Sequence, residues 1–158
     1  MHLPYFFSKE ENEMLEYFST NVNVGLGAID SESIVPFSNQ KLVKGCTTVM
    51  SGNTIQINKC GVYEIDCDLC FEVGAAADLT FKVYVDGVAQ PQTVRTVSLS
   101  GTGVYETTHI STYVTKQDNN CRCNPCSAPT SVYVTVSSSV ADTDVEFVTT
   151  DIQAYKVV

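Results

Sequence analysis

From Ile34 to the C terminus, apolar and polar residues alternate with a period of two. That is the spacing of strands with one face buried and the other wet. The clearest run follows Gly61. Tyr63, Ile65, Cys67, Leu69, Phe71 and Val73 fall on one face, and Glu64, Asp66, Asp68, Cys70 and Glu72 on the other. Thr54 to Ile57 alternates in the same way. Leu79, Phe81, Val83 and Val85 alternate with Thr80, Lys82 and Tyr84. Asp86-Gly87 then supplies a hairpin turn, because both residue types tolerate positive φ. Further strands are expected over Val94 to Leu99, Val104 to Val114, Ser131 to Val140 with Val132, Val134 and Val136 inward, and Val145 to Val158. About ten short strands joined by polar turns predict an all-β fold, a two-sheet sandwich of which the jelly roll is one standard form. No internal repeat of about 20–50 residues is visible, which argues against a propeller or solenoid.

The N-terminal stretch reads differently. Ser8-Lys9-Glu10-Glu11 has the form of a capping box, and Met14, Leu15, Tyr17 and Phe18 follow at helical spacing. A short helix is expected over about Lys9 to Phe18. Helices below about 12 residues rarely hold alone in water. This one is therefore expected to dock on its own domain, on sister subunits or on a larger particle. Asn21 to Ser33 carries Gly25, Gly27 and the Asp30-Ser31 pair and reads as an irregular transition. The expected division is an N-terminal segment over residues 1–33 and one β domain over residues 34–158.

Four segments, in order, carry a family resemblance. They are Gly52-Asn53-Thr54-Ile55-Gln56-Ile57, Cys60-Gly61-Val62-Tyr63-Glu64-Ile65, the hairpin from Leu79 to Val88, and the terminal Asp151-Ile152-Gln153-Ala154-Tyr155-Lys156. Together they resemble the complement globular-head and tumour necrosis factor superfamily over roughly residues 34–158. The likeness extends to its bacterial branch, the C-terminal domains of collagen-like spore-surface glycoproteins. The resemblance implies a ten-stranded jelly roll and a tight homotrimer. The chain departs from that branch in two places. A helical signal stands where a Gly-X-Y stalk would precede the domain, and a polar, Cys-rich stretch, Lys116 to Thr130, replaces a short turn. Stalkless domains of this shape also serve tailed phages as head fibres, decoration proteins and tail-tip modules.

Composition narrows the partners. Hydrophobic residues make up 44% and charged residues 17% of the 158, a globular balance. The formal net charge is −9 and only nine residues are Lys or Arg. Nucleic acid, which needs sustained basic contacts, and an anionic membrane are therefore poor partners, and neither nucleic-acid binding nor membrane insertion is expected. No run reaches the ~18 apolar residues of a spanning helix. Met1 reads as a start without a secretion signal, because Lys9, Glu10 and Glu11 follow at once on a short apolar stretch.

Seven cysteines are an odd count, so at least one stands outside any internal disulfide. Cys121, Cys123 and Cys126 are the unusual cluster. Three thiolates at that spacing could wrap zinc, with a fourth ligand from Cys46, Cys60, Cys67, Cys70 or His109. A disulfide-stapled loop and unpaired thiols remain open beside that reading. Cys67 lies on the apolar face and reads as a core residue. Cys70 points the opposite way, so the two are not expected to pair. The face bearing Glu64, Asp66, Asp68 and Glu72 reads as a solvated outer face, a polar trimer interface or a calcium site.

No catalytic residues are expected. His2 and His109 are the only histidines, and no nucleophile elbow, phosphate-cradling loop or zinc-protease motif occurs. The chain is therefore expected to be no enzyme and to need no cofactor, with zinc or calcium the open exceptions. The expected function is a homotrimeric virion module that is anchored through its N-terminal segment. It is exposed on the particle surface and recognises a host-surface glycan or protein through the loops 74–78, 90–92 and 116–130. The alternative is a spore-surface protein. Tyr63, Tyr113, Tyr133 and Tyr155 are the candidate residues for a trimer axis.

Overall fold

A computed structural model describes residues 15–37, 40–43, 48–117 and 129–157 of the chain. The described residues form twelve strands and one short 3-10 turn. The strands are β1 (Leu15–Ile29), β2 (Ser33–Ile34), β3 (Gln40–Val43), β4 (Thr48–Ser51), β5 (Thr54–Ile57) and β6 (Gly61–Val73). They continue as β7 (Ala77–Val85), β8 (Val88–Ala89), β9 (Arg95–Leu99), β10 (Glu106–Lys116), β11 (Thr130–Ser138) and β12 (Thr143–Lys156). The 3-10 turn, Pro91–Thr93, lies between β8 and β9.

All pairings are antiparallel, in two sheets. The five-stranded sheet runs β10-β6-β12-β1-β3. The second runs β4-β5-β11-β7-β8, with β2 beside β11 and β9 beside β7. Strands distant in sequence become neighbours, as in a jelly roll.

The alternation read from the sequence is the alternation of burial. Tyr63, Ile65, Cys67, Leu69, Phe71 and Val73 of β6 are all buried. They meet Leu79, Phe81 and Val83 of β7 and Val132, Val134 and Val136 of β11 from the opposite sheet. Phe71 and Phe147 project from one sheet and Phe81 from the other. Phe81 sits 4.8 Å from Phe71 and 6.4 Å from Phe147 between ring centroids. Each such side chain stabilises the fold by about 1.5–3 kcal/mol through burial. The hairpin is where Asp86-Gly87 placed it, between β7 and β8, with φ of 50° and 78°.

The N-terminal reading needs correction. Leu15 to Phe18, the last turn of the expected helix, are strand, and residues 1–14 lie outside the described residues. Asn21 to Ile29, read as irregular, continue that strand. β1 is paired on both sides: Tyr17 stands between Ala154 of β12 and Val43 of β3. Two backbone ladders outcompete a helix too short to overcome its nucleation cost. Gly25 and Gly27 do not end the strand. They flank a shift in its register against β12, and Gly27, at φ +72°, supplies the conformation that the irregularity requires.

Candidate functional site

The outer face of the five-stranded sheet is built by the polar half of the β6 alternation and the matching positions of its two neighbours. Register across β10, β6 and β12 arranges them in rows. Tyr113, Glu64 and Tyr155 form the first, Ser111, Asp66 and Gln153 the second, and His109, Asp68 and Asp151 the third. Thr107, Cys70 and Thr149 follow, and Glu72 then stands opposite Glu146. One carboxylate column runs down the middle strand, flanked by tyrosines at one end.

His109 is the base in this field. Its Nδ1 lies 2.7 Å from Asp68 Oδ1 and its Nε2 3.9 Å from Asp66 Oδ1. The imidazole therefore spans two carboxylates of one strand. Both of its nitrogens face acids, and its Nε2 is directed to the side of Asp68 away from Cys70. That orientation does not form a thiol–imidazole pair. The remaining polar groups close small local networks. Ser111 Oγ donates to Glu64 Oε1 at 3.4 Å, and the Tyr155 hydroxyl donates to the Gln153 side-chain carbonyl.

The carboxylates are felt by their neighbours. Partial burial pushes the Tyr155 phenol above its usual range, and the charges of Asp66 and Glu64 push the same way. Behind the face, burial drives the Cys67 thiol well above its ordinary range, reinforced by Asp68, Asp151 and Asp66. Such a thiol stays protonated and inert, a core residue as its position in the alternation implies.

Of the four tyrosines expected near an axis, Tyr113 and Tyr155 share the first row of this face, and Tyr113 is 65% exposed. Tyr63 is buried in the core, and its hydroxyl donates to the Lys59 carbonyl at 2.9 Å. Tyr133 belongs to the other sheet, stacked on Tyr84 at 5.1 Å with ring planes 5° apart. The Tyr84 hydroxyl in turn donates to Glu32. Sequence alternation could tell outward from inward for each strand. It could not tell which strands are neighbours, so the tyrosine row and the His109 contacts were not legible.

Cys121, Cys123 and Cys126 lie outside the described residues, as does Cys46. Among the described residues no group of three or more His, Cys, Asp or Glu is arranged to hold a metal. Cys67 and Cys70 form no disulfide. Of the candidate recognition loops, 74–78 is a short bend that runs into β7 at Ala77, and Gly74 N donates to the Asp144 carbonyl of β12 at 3.0 Å. Segment 90–92 leads into the 3-10 turn, which Thr93 Oγ1 pins by donating to the Gln90 carbonyl at 2.7 Å. Residues 118–128 of the third lie outside the described residues.

The fold is similar to crystal structures of murine APRIL. One, at pH 8.0, matches with a TM-score of 0.56 and 13% identity over 89% of this chain and 98% of that one. Another, at pH 5.0, matches with a TM-score of 0.52 and 11% identity over 91% and 99%. The architecture is thus a tumour necrosis factor-like jelly roll. Identities this low show the fold alone. No family model matches the chain, and no curated protein matches it.

Proposed function

We propose that the chain is a non-enzymatic homotrimeric surface module that assembles through the outer face of the five-stranded sheet. The observation that carries this reading is the Tyr113–Glu64–Tyr155 row. It sets a tyrosine with 65% of its surface open to water on a broad, regularly paired face of a tumour necrosis factor-like fold. Exposed aromatic rings on a flat face are the usual anchors of protein interfaces.

On this reading the module decorates a phage virion as a head fibre, decoration or tail-tip protein. The segment before β1 anchors it, and exposed loops meet a host-surface glycan or protein. A spore surface is the alternative setting for the same module. Antibody labelling of purified particles distinguishes the two settings. The assembly itself is tested by Tyr113→Ala followed by light scattering. The expected outcome is an association weakened about tenfold or more, with an unchanged circular dichroism spectrum. An unaltered association constant places the interface elsewhere.

A further inference from the structure

We propose that the outer face of the second sheet is a binding site for neutral glycans, with the stacked rings of Tyr84 and Tyr133 as its platform. The inference rests on the surface-recognition reading above. It names the class of sugar and puts the contact on a sheet face rather than on the loops.

The platform is built before any ligand arrives. Tyr84 of β7 and Tyr133 of β11 are register partners, both half-buried, with ring planes 5° apart and centroids 5.1 Å apart. In such a stack each ring keeps one face clear of its mate. On β8 the ladder sets Ala89 beside Tyr84, a side chain too short to cover a ring. The Tyr84 hydroxyl donates to the Glu32 carboxylate, which Thr135 and Lys82 hold in turn. A ring fixed in this way loses little rotamer freedom when a ligand settles on it, and more of the contact energy appears as affinity. The face belongs to the sheet opposite the Tyr113–Glu64–Tyr155 row, so assembly through that row leaves it open.

The surroundings of the stack select the ligand. Outward positions on the same face carry Thr54 and Gln56 on β5, Ser131 and Ser137 on β11, and Thr80 and Thr96 on β7 and β9. Hydroxyls and an amide both donate and accept hydrogen bonds. A sugar ring asks for that combination: an aromatic face under its flat patch of C–H groups, and donors and acceptors around its rim of hydroxyls. A protein partner asks for an apolar centre within about 800 Å² of contact. Two half-buried tyrosines among serines and threonines do not supply one.

Charge separates neutral from acidic sugars. Among the described outward positions of β5, β7, β9 and β11, Lys82 is the one cation, and it is paired with Glu32 at 3.8 Å. Arg95, at the start of β9, is turned onto the carbonyl oxygens of Gln92 and Val94. An acidic sugar would meet no uncommitted cation beside the stack, in the field of a chain with a net charge of −9.

Isothermal titration of the full chain tests the proposal. The probes are maltohexaose, cellohexaose, xylohexaose and chitohexaose, with an oligogalacturonate as the acidic comparison. At least one neutral probe is expected to bind with a Kd at or below about 1 mM, and the oligogalacturonate is expected not to bind. Tyr133→Ala should weaken that binding about tenfold or more. Tyr133→Phe, which keeps the ring, should retain it, as should Tyr113→Ala on the opposite sheet. Ala89→Met, which covers Tyr84 from β8, should weaken it without removing either ring. Circular dichroism spectra matching the wild type establish that the variants are folded. If no neutral probe binds the wild type, or the acidic one binds better, the inference is overturned. Binding that both Tyr133→Ala and Ala89→Met leave unaltered puts sugar recognition on the loops and overturns the platform. Light scattering on the same samples reads the assembly separately, so a trimer that binds no sugar sinks this inference alone.

Discussion

Glu32, just before β2, draws three side chains of the second sheet onto one carboxylate. Thr135 Oγ1 donates to it at 2.5 Å, the Tyr84 hydroxyl at 2.7 and 2.8 Å, and Lys82 Nζ lies 3.8 Å away. Burial alone would raise the Glu32 pKa. The hydrogen bonds from Thr135 and Tyr84 and the Lys82 charge win, and hold it below the ordinary value of 4.5. A folded-state pKa below the unfolded one stabilises the fold above the unfolded value, and that contribution is lost as pH falls through the folded value. Glu32→Gln is therefore expected to destabilise at neutral pH by about 1 kcal/mol, discounted because the site is partly open to water. In urea melts, the gap between variant and wild type should shrink as the solution is taken below the ordinary glutamate range. A gap of constant size across that series would show that the charge is not what holds Tyr84 and Thr135 in place.

At the scale of elements, alternation made most strands readable and pairing made the rest. β6, β7 and β11 carry long, clean alternation, because one face of each meets the opposite sheet. β1 hid its strand character. Val22, Val24 and Leu26 alternate, but Gly25 and Gly27 between them look like punctuation, and the capping-box pattern upstream favours a helix. What decides is long-range: β12 supplies partners along β1 from Leu15 to Ile29. The carboxylate column of the candidate face was legible as a column, since it lies on one strand. The histidine and tyrosines that give it chemistry sit on β10 and β12, separated from it in sequence, and only register brings them alongside. The two glycines of β1 give a paired test. A methyl group on either meets nothing within 4 Å, but only Gly27 has positive φ. Gly27→Ala is expected to cost about 1 kcal/mol in chemical unfolding. Gly25→Ala should be neutral or stabilising by about 0.5 kcal/mol. Equal effects at both positions would mean that the backbone conformation at Gly27 does not set the register shift.

For the whole molecule, the sandwich supplies its own core, and the outer face of the five-stranded sheet is left with a tyrosine row and a carboxylate column. A solitary soluble domain accounts for the carboxylates, as a solvated acidic surface. Tyr113 stands 65% exposed in line with Tyr155 on the same face. The self-assembly proposed above gives the tyrosine row a role. The most direct measurement is the solution mass by light scattering, with chelator and reductant present. A homotrimer gives about three times the 17.2 kDa of the chain, as one sharp species. A mass of 17.2 kDa under the same conditions, at protein concentrations of tens of micromolar or above, contradicts it.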